Sequence, residues 1–326
     1  MSSDFLVSLG FILGTTLMYS TPLIFTALGG VFSENSGVVN IGLEGMMTIG
    51  AFTGAAVGFL TLSPWFALLA AGIVGGLFGL LHAFASIKYN ANQVVSGIAI
   101  NFLAPGLALF ISGRLFNGAT QTPSIPLESK LPRPLNGFFN NLVASSPDND
   151  IFRMLDSIFN QYITVYLAFA VVFITWYILY KTRFGLRIRA VGEHPAAADT
   201  LGINVYAIRY VCVTLSGVLA GIGGASLSLA IVSAFRPGLV SGHGFIALAA
   251  MIFGKWKPQG TLLACLLFGV TKGLQIFLGG PTMGLDISVD LLAMLPYVIT
   301  LVVLVGFVGK SAAPAASGQP YEKGER

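Results

Sequence analysis

Charged residues are scarce in this sequence. Asp, Glu, Lys and Arg make up only 9% of its 326 residues, against about 25% in ordinary soluble proteins. So few charges cannot cover the surface of a soluble domain of this length, and 55% of the residues are hydrophobic. The composition therefore excludes a soluble globular protein. It predicts an all-α integral membrane protein, a polytopic helical bundle in a lipid bilayer.

Cysteines and the sequence motifs of several enzyme classes are also rare or missing. The two cysteines, Cys212 and Cys265, lie in apolar runs without a partner at CxxC spacing, which gives no support for a disulfide or a metal site. The sequence contains no GxxxxGK[ST], HExxH or GxSxG motif. It also lacks basic clusters interleaved with aromatic residues, the pattern typical of nucleic-acid binding. We therefore predict no catalytic residue, no metal, no cofactor and no nucleic-acid partner.

Apolar runs long enough to cross a bilayer give eight candidate spans. They cover about 5–32, 43–60, 64–87, 91–113, 162–180, 209–233, 258–279 and 290–308. A ninth run, Phe245–Phe253, reaches only half a bilayer at about 1.5 Å per residue. We expect about nine transmembrane segments, one of them a half-span or broken helix of the kind found at transport sites.

Lys and Arg residues are concentrated on one side of these spans. If residues 181–208 are cytoplasmic, eleven basic residues fall on that side and five on the other, as the positive-inside rule requires. The N-terminus is then outside and the C-terminus inside. Residues 1–310 form one transmembrane domain, in which 114–160 is an extracytoplasmic loop, and the Pro- and Ala-rich residues 311–326 are expected to form a disordered cytoplasmic tail.

The cytoplasmic loop 181–208 contains a short predicted helix. Pro195 suits the first helical position, the alanines after it favour a helix, and Gly202 ends it. Such a helix is either a plain connector or a docking element for a cytoplasmic partner. The candidate docking residues are Glu193, His194, Pro195, Ala196, Ala197, Ala198, Asp199 and Gly202.

Polar side chains within or at the ends of the apolar runs are candidates for a solute path. A charge at the centre of a spanning helix costs about 2.5–3.5 kcal/mol, so such residues tend to have a function. The candidates are Asn40, Glu44, Asn92, Gln93, Asn101, Lys272 and Gln275. Structural alternatives stay open: Asn92 and Gln93 could start a cytoplasmic helix, Glu44 could lie in a polar turn at the interface, and Lys272 could extend to one surface. If Glu44 is not in such a turn, we expect it to cap a kinked helix beside the path.

Five motifs together resemble those of permeases of bacterial ABC importers for nucleosides and simple sugars, a group related to the ribose and branched-chain amino acid permeases. They are Ser36–Met46, Asn92–Gly97, Ala190–Pro195, Gly244–Ala250 and Met294–Tyr297, in the order typical of that family. Residues 196–202 also resemble its coupling loop, with Ala196 where more distant members have Glu. Lys272 departs from the pattern, which has an uncharged or acidic residue there.

This resemblance implies a permease subunit in the bacterial inner membrane. Its implied partners are a second permease, in a heterodimer, a cytoplasmic ATP-binding subunit and an extracytoplasmic substrate-binding protein. A nucleoside is the expected solute, with a simple sugar or another small polar solute as the alternative. Two other classes remain open: an ion-coupled secondary transporter and a membrane enzyme acting on a lipid-linked substrate.

Overall fold

The chain is helical throughout the part of it that the structure describes. This computed structural model describes residues 2–126, 130–147, 149–280 and 312–323, with seven further residues between 291 and 302. No β-strand occurs in these ranges. The all-α prediction agrees with the structure, and it follows from the need of a backbone in lipid to satisfy its hydrogen bonds within each segment.

Twelve helices follow one another in the described residues. They are α1 (Ser2–Asn35), α2 (Leu43–Thr61), α3 (Pro64–Ala83), α4 (Gln93–Leu115), α5 (Asn136–Ser145), α6 (Asp150–Phe159), α7 (Ile163–Lys181), α8 (Arg183–Glu193), α9 (Pro195–Thr200), α10 (Val205–Ser226), α11 (His243–Phe253) and α12 (Pro258–Leu278). Helices α3 and α10 continue into π-helical turns at Phe84–Lys88 and Leu227–Val232.

Seven of the described helices are long and apolar enough to cross a membrane. They are α1, α2, α3, α4, α7, α10 and α12, counting the π-helical turns of α3 and α10. Helix α11 has only 11 residues, so the short run seen in the sequence is a short apolar helix, and its place as a half-span stays a prediction. The predicted total of about nine segments is not confirmed, because the remaining candidate, 290–308, lies mostly outside the described residues.

The helix ends form two groups. At the loop end, residues 114–160 connect α4 to α7 and contain the short helices α5 and α6. Helix α6 lies along the first half of α1, where a Cβ on Gly14 would come within 2.0 Å of the Ser157 carbonyl oxygen. At the opposite end, the tail end, lie α8, α9 and residues 312–323. Helices α1 and α10 run between the two ends and make the largest contributions of any helices to the larger hydrophobic cluster.

Residues 312–323 are packed against the tail end, although composition predicts a disordered tail over 311–326. Ala316 and Tyr321 are only 4% and 8% exposed, and the Ala316 N–H donates to the Gly192 carbonyl at 2.9 Å. These contacts differ from the expected disorder, because the tail is held by its backbone and a few side chains, which composition does not report.

Helices α3 and α10 pack so closely that their backbones are in contact. A Cβ on Gly217 would lie 2.3 Å from the Gly75 carbonyl oxygen, and a Cβ on Gly75 would lie 2.4 Å from that of Gly217. Close contact of this kind is what stabilises helix pairs in lipid, where no hydrophobic force drives them together. The small residues of α10 therefore set its central place in the bundle.

We expect Gly217→Ala to destabilise the protein, because an added methyl group must push the two backbones apart, at a cost of about 1–3 kcal/mol. The midpoint of thermal unfolding in detergent should fall by several degrees. Gly113→Ala is the matched control, because a Cβ at that helical glycine in α4 meets no atom within 4 Å. Equal midpoints for the two variants would contradict this account of the helix contact.

Candidate translocation and coupling sites

The break between α1 and α2 is held by side chains from other helices. Residues 36–42 are not helical, so their backbone groups need partners from elsewhere. The Val39 N–H donates to Gln93 Oε1 at 2.7 Å, and the Val39 carbonyl lies 2.9 Å from His82 Nε2. His82 and Gln93 are both buried. These contacts account for an irregular segment inside a membrane protein, which is tolerated only where protein or water satisfies it.

Asn101 extends the same arrangement into the start of α2. Its Nδ2 donates to the Ile41 carbonyl at 3.0 Å, and its Oδ1 accepts from the Gly45 N–H at 2.8 Å. A single side chain on α4 thus satisfies a donor and an acceptor on either side of the first turn of α2. The structure gives Asn101 a supporting role in the break between α1 and α2.

Asn40 and Asn92 are also engaged in structural contacts. Asn40 is fully buried, and its Nδ2 donates to Ser216 Oγ on α10 at 2.9 Å. Asn92 Oδ1 accepts from the N–H groups of Val94 and Val95, which makes it the N-cap of α4. Asn92 therefore starts a helix, as its structural alternative stated. Four of the predicted path residues thus make contacts that hold the helix break or the helices beside it: Asn40, Asn92, Gln93 and Asn101.

Glu44 caps the half-span. Its Oε1 accepts from the Gly242 N–H and its Oε2 from the Gly244 N–H, each at 2.7 Å. These groups flank the first residue of α11, where the N–H groups have no partner within the helix and the helix dipole favours a negative charge. The capping alternative for Glu44 is thus the one in the structure, although the helix it caps lies about 200 residues away in sequence.

A polar cluster forms where α11 begins beside α12. Lys272 Nζ donates to Gln275 Oε1 at 2.9 Å, and Lys272 lies in the neighbourhood of His243. Because Glu44 holds the residues on both sides of His243, the structure brings Glu44, Lys272 and Gln275 into one region. Lys272 and Gln275 are partly exposed there, as is Phe245, at 49%.

A second polar region at the loop end was missed by the sequence reasoning. It is a cleft of about 270 Å³ between α1 and α6. Arg133, Asp156, Asn160 and Gln161 line it together with side chains of α1. Asn160 Nδ2 donates to Asp156 Oδ1 at 2.8 Å. No sequence motif marks these residues, because the cleft exists only once α6 lies along α1.

The predicted docking helix is present as α9. His194 Nδ1 accepts from the Ala197 N–H at 3.2 Å, and Gly202 has a φ of +77°, as expected for a glycine that ends a helix. The residues of this segment divide into two faces. Glu193, His194, Ala196, Ala197 and Thr200 are exposed, Pro195 and Asp199 are partly exposed, and Ala198 is buried. Ala198 therefore attaches α9 to the bundle and does not point outward.

Two buried charged residues were also missed by the sequence reasoning. Trp256 Nε1 donates to Glu34 Oε2 at 2.5 Å, which joins the end of α1 to the turn after α11. Arg209, 2% exposed, donates from Nε to the Ser36 carbonyl at 3.2 Å. In each of these two hydrogen bonds, the donor and the acceptor are more than 170 residues apart in sequence. No local pattern could have paired them.

The chain matches the model of a family described as "Branched-chain amino acid transport system / permease component" over residues 12–306. It belongs to this permease family. The resemblance inferred from five sequence motifs is thereby confirmed. The prediction that the chain is a transport subunit and not an enzyme is confirmed by its relatives.

Two relatives are similar along their full length. Guanosine ABC transporter permease protein NupQ of Bacillus subtilis (strain 168) is 47% identical over 331 residues, covering 99% of this chain and 100% of that protein. Nucleoside ABC transporter permease protein NupC of Lactococcus lactis subsp. cremoris (strain MG1363) is 44% identical over 330 residues, covering 97% and 98%. A second B. subtilis protein, guanosine ABC transporter permease protein NupP, is 27% identical over 296 residues, covering 86% and 79%. No solved structure matches the chain.

We expect Glu44→Gln to loosen the start of α11. An amide has one acceptor oxygen in place of two, and its NH₂ group would face one of the two N–H donors, so one charge-assisted hydrogen bond worth about 1.5–3 kcal/mol is lost. Amide hydrogen exchange over residues 242–246 should become faster. Thr48→Ala is the control, because it removes only a bond within α2, from Thr48 Oγ1 to the Glu44 carbonyl. Wild-type exchange in Glu44→Gln would refute the capping role.

Proposed function

We propose that the chain is a permease subunit of an ABC importer that carries a nucleoside across the bacterial inner membrane. The observation that carries this proposal is the full-length similarity to two permeases named for guanosine and nucleosides, at 47% and 44% identity. The seven long apolar helices fit a polytopic membrane subunit. In this proposal, ATP hydrolysis by a separate ATP-binding subunit supplies the energy for import.

The translocation path runs past the start of α11. Lys272 lies about two thirds of the way along α12 and is partly exposed, and a charge facing lipid at that depth costs about 2.5–3.5 kcal/mol. That free-energy cost is removed if the face of α12 that contains Lys272 lines a water-filled path or contacts a partner permease. Phe245, in the first turn of α11, is 49% exposed, and an aromatic surface together with polar groups is the combination that a flat base and a hydroxylated sugar require.

A second permease subunit completes this path. The two B. subtilis relatives support a heterodimer, because both NupP and NupQ are named as guanosine permeases. Of these two, NupQ is similar to this chain along its full length and NupP is not. We infer that this chain occupies the position of NupQ and pairs with a more distant permease. The loop-end cleft lies where solute delivered by an extracytoplasmic binding protein would enter.

The tail end faces the cytoplasm in this proposal, with the N-terminus outside. Arg183, Arg187 and Arg189 of α8 lie at the tail end, as does Lys323 beside Asp199 of α9, and these basic residues support that orientation. Helix α9 offers the ATP-binding subunit an exposed face of small side chains, with Leu201 81% exposed at its end. Pressure on that face reaches α10 through the buried Ala198.

Substitutions at Gly202 test the proposed function. Gly202→Val should abolish uptake of radiolabelled guanosine by cells that also produce the partner subunits, and the ATP-binding subunit should no longer copurify. A β-branched residue is strained at a φ of +77°. Gly202→Asn is the matched control, since Asn tolerates this conformation, and it should retain most of the uptake. Uptake that persists in Gly202→Val would show that coupling to the ATP-binding subunit runs elsewhere.

Cysteine labelling tests the path. Lys272→Cys in the assembled transporter should react with a membrane-impermeant maleimide, and guanosine should slow the reaction. Leu263→Cys on the same helix is the control, because Leu263 is 68% exposed on an apolar surface and should not react. The natural Cys212 and Cys265 are fully buried and add little background. An unreactive Lys272→Cys would place the path elsewhere.

A further inference from the structure

The described tail is tied by its backbone to two elements of the tail end. The Ala316 N–H donates to the Gly192 carbonyl of α8 at 2.9 Å, and the Gly318 N–H donates to the Gly37 carbonyl at 3.2 Å. Gly37 belongs to the break between α1 and α2, and Gly192 immediately precedes the segment that leads into α9. The tail thus bridges the helix break and the end of α8.

Arg209 links the same tail to α10. Its guanidinium is buried beneath the tail, donating from Nε to the Ser36 carbonyl and from Nη1 to the Gln319 carbonyl at 3.1 Å. A buried charge of this kind is costly unless its hydrogen bonds are made; Nε and Nη1 make theirs to these two carbonyls, while Nη2 has no partner among the described residues. Arg209 therefore fixes the tail, the helix break and the first turns of α10 relative to one another.

The last described residues extend the bridge to α10 and, more weakly, to α9. Tyr321 is 8% exposed, and its ring centre lies 5.6 Å from that of Tyr206 on α10. The Tyr206 hydroxyl also donates to the Tyr321 carbonyl at 3.2 Å. Lys323 lies 3.8 Å from Asp199 of α9, in a pair whose lysine is largely exposed and which therefore contributes little. The ring contact is the main attachment.

We propose that residues Ala316–Tyr321 are a positioning strap for coupling, which makes movement of α9 reach the break between α1 and α2. Three elements converge on the strap: the segment leading to α9, the start of α10, and the break whose backbone is held by Gln93 and His82. Without the strap, α9 can move while the break stays in place. This inference rests on the proposed function, in which α9 receives the ATP-binding subunit.

The test uses the reconstituted transporter with its partner subunits and compares Tyr321→Ala with Gln319→Ala. Tyr321→Ala removes the ring that holds the strap. Gln319→Ala keeps the carbonyl that Arg209 uses and changes only an exposed side chain. We expect the number of guanosine molecules imported per ATP hydrolysed to fall by about fivefold or more in Tyr321→Ala, the lower end of coupling between linked sites. Gln319→Ala should match the wild type.

An unchanged ratio in Tyr321→Ala would overturn the strap, as would a parallel loss of import and hydrolysis, which indicates a role in assembly alone. Failure of the wild-type transporter to import guanosine would count against the proposed function instead. Hydrogen exchange of the purified chain gives a reading independent of transport. Amides of residues 36–42 should exchange faster in Tyr321→Ala and not in Gln319→Ala, and equal exchange in the two variants would also overturn the strap.

Discussion

A backbone N–H or carbonyl group that is shielded from water needs a hydrogen-bond partner, and the described part of this chain has at least two places where its own helix cannot supply one. The first is the break at residues 36–42 and the second is the start of α11. Both are satisfied by polar side chains from other helices, among them Gln93, Asn101 and Glu44. The arrangement of α2, α3, α4 and α11 depends on these few contacts, because moving any of these helices would leave buried polar groups without partners.

This constraint explains why the polar residues of the apolar runs divide into two groups. Those with partners in the backbone of another segment hold the fold, as Asn101 does with Ile41 and Gly45. Those with partial exposure and side-chain partners, such as Lys272 and Gln275, are the ones that the proposed solute path would use. A charged side chain in a membrane segment is therefore not by itself a solute ligand. Glu44 is a cap whose position borders the proposed path.

The tail end combines exposed and buried parts in a way that suits energy coupling. Helix α9 is short and largely exposed, whereas Arg209, Glu34 and Trp256 are buried and fix the ends of α1, α10 and α11. The π-helical turns that end α3 and α10 lie at opposite ends of the bundle, and such turns are frequent at functional sites. In the proposed coupling, a push on α9 is transmitted to this framework of buried contacts.

Apolar run length was enough to determine the spanning helices in the described residues, because a bilayer sets their length and excludes other secondary structure. The run at 258–279, for example, corresponds to α12, Pro258–Leu278. The sequence alone also located α9 through its flanking proline and glycine, and its five motifs identified the family. Only the tertiary structure decided that Glu44 caps α11, that Arg209 holds the tail, and that Asn40 faces α10. These contacts join residues 110 to 200 positions apart. The sequence alone does not show which of these side chains meet, because that depends on how the helices pack.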